Sequence, residues 1–430
     1  MSTRSRKLSA LIVLSALAVA ACGGDDDTTA SDPTTGESAA PTTDAPPTEA
    51  TEASSDESTA EMSAESSAES SDESSAESAE SSAEESSTAM SEESSSAEPQ
   101  TSDLITAFDA NGDGTVTIGV AAAGPRDDNG SYQSLVDFAE QFSTENGFAD
   151  PIVSDNIGSE EAAQAMSDLA QQGVDIMFVG ASEIAEPLPD LTEAFPDIFW
   201  YCNCGAGFEE LPGLAQATDW GAAIHYTAGV AMGEVMVEQG STQSVFLGCC
   251  DLNFEREAYN ATVAGMQSVQ DDLTMEYVAT GDFPFDFDNS ANATAALTNA
   301  ISNGATLAYA YLGGALEPVG QLATEQGVAV FAAGPADICE RDDGIDWAGS
   351  IVFDGGLYAA QALRLIIADD LDEGATYQFP TEQGLNGAVL CDPSPDAASA
   401  VADAFALLAS FDDDLMAQLG AISGEAYSGG

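Results

Sequence analysis

Positive charge is almost absent from this chain. Its 430 residues hold 7 Lys+Arg against 75 Asp+Glu, and His225 is the single histidine. The resulting formal charge of −68 at pH 7 excludes nucleic acid and anionic lipid as electrostatic partners. Lys7 is the last lysine, so the body offers no Schiff-base, phosphate-loop or kinase-type lysine. Beyond it the only fixed cations are Arg126, Arg256, Arg341 and Arg364. Composition therefore argues against an enzyme, and no cofactor is expected.

What is present begins with a basic head, Arg4, Arg6 and Lys7, followed by a largely apolar run from Leu8 to Ala21. That run falls short of the roughly 20 residues a spanning helix needs and reads as a signal peptide over residues 1–21. It ends Val19-Ala20-Ala21-Cys22-Gly23-Gly24, which resembles the bacterial lipobox, with Cys22 as the lipidated mature N-terminus. Two or three acyl chains anchor stably where one does so marginally. Residues 22–102 are then Ser, Glu, Ala, Thr and Asp with almost no large apolar side chain, so they cannot bury enough surface to offset ordering entropy. They are expected to be a disordered acidic tether with a mean reach on the order of 50 Å, leaving the cell membrane on its extracytoplasmic side.

After an Asp/Asn/Gly-rich lead-in over 103–115, β-branched runs alternate with amphipathic stretches. Strands are expected at Val116 to Val120, Ile176 to Val179, Ile198 to Tyr201, Ser244 to Leu247, Met275 to Ala279, Leu307 to Leu312, Val328 to Ala332 and Ser350 to Phe353. The alternation calls for parallel sheets covered by helices on both faces. So many strands divide into two doubly wound α/β lobes joined by a hinge, placed at 116–219 with 342–390 and at 220–341 with 391–430. A ligand of such sheets binds at the carboxyl ends of the strands, in the cleft between the lobes.

The segment Gly124-Pro125-Arg126-Asp127-Asp128-Asn129-Gly130-Ser131-Tyr132-Gln133 after the first strand resembles the basic membrane protein (BMP) family of ABC-importer lipoproteins. Val174-Asp175-Ile176-Met177-Phe178-Val179-Gly180, Phe195-Pro196-Asp197, His225 to Gly229 and Arg256 to Val269 follow in the family's order. The resemblance spans about residues 115–395. It implies a type I periplasmic-binding-protein fold with three hinge crossovers, ABC permease subunits as partners, a monomer, and nucleosides as the best-known ligands. It also implies ligand contacts from Asp128, Gln133, Gly180 and Asp337. The chain departs from the nucleoside-binding pattern at Phe331 to Asp337, which keeps one acid, and near Ser350, which lacks a basic neighbour.

Residue chemistry adds further candidates. Arg126, Arg256 and Arg341 each follow the carboxyl end of an expected strand, where planar guanidinium groups suit a ligand's carboxylate or carbonyl, or else pair with adjacent acids. Tyr132 and Phe254 occupy corresponding places after the first strand of each lobe and could sandwich a planar ring. Cys202, Cys204, Cys249, Cys250, Cys339 and Cys391 make an even count in an exported chain, which favours disulfides. Cys339 with Cys391 is the most separable pair; bridges between the other two clusters, or a thiolate metal site there, remain open. Asp109, Asn111 and Asp113 hold positions of a calcium loop whose twelfth position is Val120 instead of Glu, so no metal is assigned. His225 lacks a nucleophile signature and reads as a helix-face or hinge residue. Together these features predict a solute-binding lipoprotein of an ABC importer, with a ligand-sensing lipoprotein as the alternative.

Overall fold

The computed structural model describes residues 101–180, 182–205, 208–283 and 285–428. The expected signal peptide, the lipidation site Cys22 and residues 22–100 of the expected tether lie outside the described residues. In chain order the first part is α1 (Thr101–Phe108), β1 (Ile118–Ala121), α2 (Ser131–Asn146), β2 (Ile152–Ser154), α3 (Ala162–Gln171), β3 (Ile176–Val179), α4 (Leu188–Ala194), β4 (Phe199–Asn203) and β5 (Leu214–Thr218). The second is α5 (Gly221–Gln239), β6 (Gln243–Gly248), α6 (Asn253–Val269), β7 (Thr274–Ala279), α7 (Ser290–Ser302), β8 (Leu307–Ala310), α8 (Leu316–Gln326), β9 (Ala329–Gly334) and β10 (Trp347–Val352). The chain closes with α9 (Gly355–Ile367), β11 (Thr376–Gln378), β12 (Gly387–Leu390), α10 (Pro395–Ala409) and α11 (Asp413–Tyr427).

Two six-stranded sheets result, ordered β11-β5-β4-β3-β1-β2 and β12-β10-β9-β8-β6-β7. All pairings are parallel except β10 with β12. In each sheet the first strand lies between the second and third, so the strand order reverses beside β1 and again beside β6. Alternate residues of one strand feed opposite cores. Ile176 and Phe178 pack with α2 and α9, whereas Met177 and Val179 pack with α3 and α4. The second sheet does likewise, with Val245 and Leu247 facing α7 and α8 and Phe246 facing α5 and α6.

The lobe boundaries differ from those read in the sequence. β10 extends β9 through Ser350↔Ala332 and Ile351↔Ala333, and β12 pairs back onto β10, so 342–352 and 387–390 belong to the second sheet. With the sheet of β1 as lobe I and the sheet of β6 as lobe II, the chain returns to lobe I after Val352, not near Asp342, and leaves again after Phe379. Three crossovers therefore join the lobes, at 219–220, 353–354 and 380–386. The buried pattern of Trp347–Val352 explains the difference, because a strand buried on both faces carries no mark of which sheet it joins.

Helix ends follow local chemistry. Gly147, Gly240 and Gly327 close α2, α5 and α8 in the left-handed region at φ 68°, 66° and 67°. Ser394 and Asp412 cap α10 and α11 by accepting from Ala397 N and Leu415 N. α5 is apolar on every side, with thirteen of its nineteen residues buried between the sheet, α6 and α10.

α5 and α6 cross at two glycines. A Cβ added at Gly229 would lie 2.0 Å from the Thr262 carbonyl oxygen, and one at Gly265 would lie 2.2 Å from that of Tyr226. Backbone thus rests on backbone, and this crossing sets the depth of α6 beside the cleft. Gly265→Ala is expected to lower unfolding free energy by about 1–3 kcal/mol or more in denaturant titration, because neither helix can give way. The exposed Gly424→Ala, with no atom within 4 Å of its added Cβ, should lack that cost.

Candidate functional site

Each lobe begins its cleft wall with a carboxylate that ties down a loop. After β1, Asp128 is 7% exposed and accepts from Gly130 N (2.8 Å), Gln133 N (3.0 Å) and Tyr132 N (3.4 Å), fixing the start of α2. After β6, the fully buried Glu255 accepts from Cys249 N (2.5 Å), Leu252 N (2.8 Å) and Cys250 N (3.1 Å). The two loops stand at the strand-order reversals of the two sheets and face one cleft of about 1280 Å³.

Tyr132 and Phe254 both line that cleft. Tyr132 lies against Gly124 and Gly180, where added Cβ atoms would fall 2.5 Å and 3.4 Å from its ring, so both glycines make room for it. Phe254 stacks on Phe287 at 6.4 Å and approaches Tyr311 at 6.2 Å, and Tyr311 stacks on Phe353 at 5.5 Å. One wall is thus a continuous aromatic surface.

The arginines take the plainer of their two expected roles. Arg126 pairs with Asp155 at 2.7 Å and stays outside the cleft. Arg256 reaches the cleft but gives both Nε and Nη2 to Asp251 at 2.8 Å each. Arg341 holds Asp337 at 2.7 Å on the rim, so neither residue lines the cleft. Gln133 also stays outside, its Oε1 accepting from Asn129 N at 3.1 Å. Of the sequence candidates, Asp128, Tyr132, Gly180, Phe254 and Arg256 meet at the cleft, whereas Arg126, Gln133 and Asp337 do not.

Residues outside the sequence candidates complete the site. At the rim, Asn129 of lobe I adopts φ 54°, accepts Arg341 Nη2 on its carbonyl at 2.9 Å and donates Nδ2 to Glu317 at 3.5 Å, linking the two lobes. At the hinge, Tyr358 donates its hydroxyl to Asp219 (2.8 Å) and accepts from Asn386 Nδ2 (3.3 Å). Asp219 lies on the first crossover, Tyr358 four residues past the second and Asn386 on the third, so one chain of hydrogen bonds joins all three. Beside it, Glu257 accepts from Ser423 (2.5 Å) and Tyr427 (3.5 Å) of α11, and Trp220 donates to Ser423 (3.0 Å).

Electrostatically the cleft is acidic. Ten carboxylates line it against the one guanidinium of Arg256. Burial raises the acids Asp128, Glu183, Asp219 and Glu257 above the usual carboxylate range. His225, on the cleft floor, is pushed down to about 4 by burial, so it is neutral at pH 7. Its Nδ1 sits 2.8 Å from the Gly221 carbonyl, which makes Nδ1 the protonated nitrogen, and Nε2 is buried without a partner. An anionic ligand has no free cation to meet here.

Cysteines pair within each lobe: Cys202 with Cys204, Cys249 with Cys250, and Cys339 with Cys391 at a Cα separation of 5.2 Å. The open possibility of a bridge between the first two clusters is removed, since they end strands of different sheets. Asp109, Asn111 and Asp113 turn their oxygens onto backbone amides of Gly112, Asp113, Gly114 and Thr115. Among the described residues no group of three or more His, Cys, Asp or Glu side chains could hold a metal ion.

No protein-family model matches the chain, and no curated protein matches it in sequence. Solved structures do. An ABC transporter system solute-binding protein from Aeropyrum pernix K1 is 13% identical over 73% of this chain and 92% of its own, with a TM-score of 0.54. One from Conexibacter woesei DSM 14684 is 20% identical over 69% and 97%, with a TM-score of 0.52. A transcriptional activator of the comK gene from Bacillus halodurans is 15% identical over 68% and 96%, with a TM-score of 0.51. The fold is the type I periplasmic-binding-protein fold. In that frame the two strand-order reversals and the three crossovers are the cleft and hinge of the fold.

Two outcomes follow from this geometry. Tyr358→Phe removes the hydroxyl donor to a desolvated carboxylate and is expected to cost about 1–3 kcal/mol of unfolding free energy, measured by denaturant titration at pH 7. His225 binds its proton near 6.5 when unfolded and only near about 4 when folded, so its contribution is present above 6.5 and lost as pH falls through that window. Its slope is at most about 1.4 kcal/mol per pH unit. The raised carboxylates act in the opposite sense, adding stability as pH falls. The difference in unfolding free energy between His225→Leu and the parent should therefore move in the variant's favour from pH 6.5 to 4.5; a difference flat in pH contradicts a neutral buried imidazole.

Proposed function

We propose that this chain is an extracytoplasmic solute-binding lipoprotein of an ABC importer, held to the cell membrane through Cys22 and capturing a small polar solute as its lobes close. The observation that carries this reading is the pair of like-ordered sheets whose carboxyl ends share one cleft, joined by three crossovers. Similarity to structures named as ABC solute-binding proteins supports it. The Asn129 to Arg341 contact suits a closing rim, and Tyr132 with Phe254 suits a ring-bearing solute, the nucleoside class implied by the BMP-family resemblance. In this role the acidic tether carries the lobes away from the membrane, and permease subunits receive the loaded monomer.

The alternative, a ligand-sensing lipoprotein whose closed form is presented to a signalling receptor, draws on the similarity to a structure named as a transcriptional activator. Both readings use the same cleft. Loss of the cognate permease abolishes uptake in the first reading and leaves the downstream response intact in the second.

Cys22→Ala is expected to shift the protein from the membrane to the soluble fraction on cell fractionation; unchanged retention rules out the anchor. Nucleosides, sugars and small organic acids should be separated by thermal shift, since a true ligand stabilises in proportion to the logarithm of its concentration above Kd. Adenosine or guanosine raising Tm supports the nucleoside class, and silence from every nucleoside beside a response to another class removes it.

A further inference from the structure

The segment between β7 and α7 brings acids and aromatics together. It reads Gly281-Asp282-Phe283-Pro284-Phe285-Asp286-Phe287-Asp288, and its described residues from Asp282 to Asp288 line the cleft. Phe283 is 78% exposed and Phe285 37%, so two large rings stand in water at the cleft mouth, while Phe287 stacks inward on Phe254. A monomeric domain gains nothing by holding bare phenyl rings there; a ligand that covers them does.

The cleft offers acceptors and π faces but almost no donors of charge. Its one guanidinium, Arg256, is doubly bonded to Asp251. Its one histidine is neutral, and the unpartnered Nε2 of His225, in a side chain 4% exposed, is an acceptor. Acidity covers this whole chain, yet on the outer surface water solvates it. Here Glu183, Asp282, Asp286 and Asp288 line the cleft with no cation paired to them, and closure over a neutral solute would bring these carboxylates together without a counter-charge. A small inorganic cation does not fit the lining either: it needs a cage of oxygens, and no such cluster exists among the described residues. Aromatic rings interleaved with carboxylates are the chemistry that receives a large, weakly hydrated positive charge.

We infer that the solute taken by this cleft is an organic cation, a substituted ammonium or amidinium whose charge rests on the rings of Phe283, Phe287 and Phe254 and whose N–H or polarised C–H groups meet Asp288 and Glu183. This deepens the solute-binding reading and rests on it. It also sets aside the anionic class that the three arginines suggested and takes the place of the neutral nucleoside that the BMP-family resemblance implied.

The full mature chain is titrated calorimetrically with choline, agmatine, spermidine and benzyltrimethylammonium, and in parallel with adenosine, ribose, citrate and 3,3-dimethylbutan-1-ol, the uncharged shape-mate of choline. At least one cation is expected to bind saturably and more tightly than every neutral or anionic compound. Its affinity should fall by about threefold or more between about 0.05 and 0.5 M NaCl, as charge pairing requires. Phe283→Ala, at an exposed position that leaves the core intact, should weaken that cation by about tenfold. Asp288→Asn should weaken it and flatten the salt dependence. A neutral nucleoside or sugar binding more tightly than every cation overturns the inference and leaves the solute-binding reading standing. Equal affinity for choline and 3,3-dimethylbutan-1-ol overturns it as well. Silence from all eight compounds counts against the solute-binding reading, and the inference falls with it.

Discussion

A chain with four guanidinium groups beyond its first seven residues must satisfy its buried carboxylates with something other than cations. Backbone amides and hydroxyls do this work throughout. Asp128 and Glu255 draw loop N–H groups onto themselves, Asp219 takes the Tyr358 hydroxyl, Glu257 takes Ser423, and Asp354 accepts from Leu357 N at 2.9 Å and Ala336 N at 3.3 Å. An amide partner fixes backbone as well as charge, because it cannot move without moving the chain. Asp128, which looks like a ligand contact in the sequence, is therefore also a pin that holds its cleft loop in shape.

The same constraint gives the two lobes matching construction. Each places a buried carboxylate and a cleft-lining aromatic ring just past its first strand, Tyr132 after Asp128 in one lobe and Phe254 immediately before Glu255 in the other, and each sets that pair where strand order reverses. Asp354 extends the theme to the hinge: it caps α9 of lobe I while accepting from Ala336 in the loop after β9 of lobe II. Positions of the walls are thus set by hydrogen bonds on loops, whereas depth is set by packing, as at Gly229 and Gly265.

Much of the fold was legible because buried parallel strands write themselves as short apolar runs, as at Ile176–Val179 and Val245 to Leu247. β5, Leu-Ala-Gln-Ala-Thr, carries no such mark, and the three residues each of β2 and β11 are too few to show a period. β12 was invisible for another reason: its place depends on pairing with β10 across some 40 residues of chain, which local pattern does not encode. At the site, Tyr132 and Phe254 could be found from their places after first strands. The arginine roles could not, since three guanidiniums each flanked by acids look alike until geometry chooses partners. Glu255 was hidden as a neighbour of Arg256: it accepts from Leu252 N as the acid of a capping box does, but a leucine at the cap position gives the sequence no sign of it. Three phenylalanines within Phe283 to Phe287, alternating with acids outside any strand pattern, were the available sign of the aromatic mouth.

All three disulfides begin and end within one lobe. Covalent reinforcement is consequently uneven: Cys202–Cys204 and Cys249–Cys250 close almost no loop, whereas Cys339–Cys391, 52 residues apart, ties together the two ends of the excursion through α9 and β11. That long bridge limits how far the unfolded chain can spread between the second and third crossovers, while in the folded chain both its ends sit in one lobe and span no gap between the two.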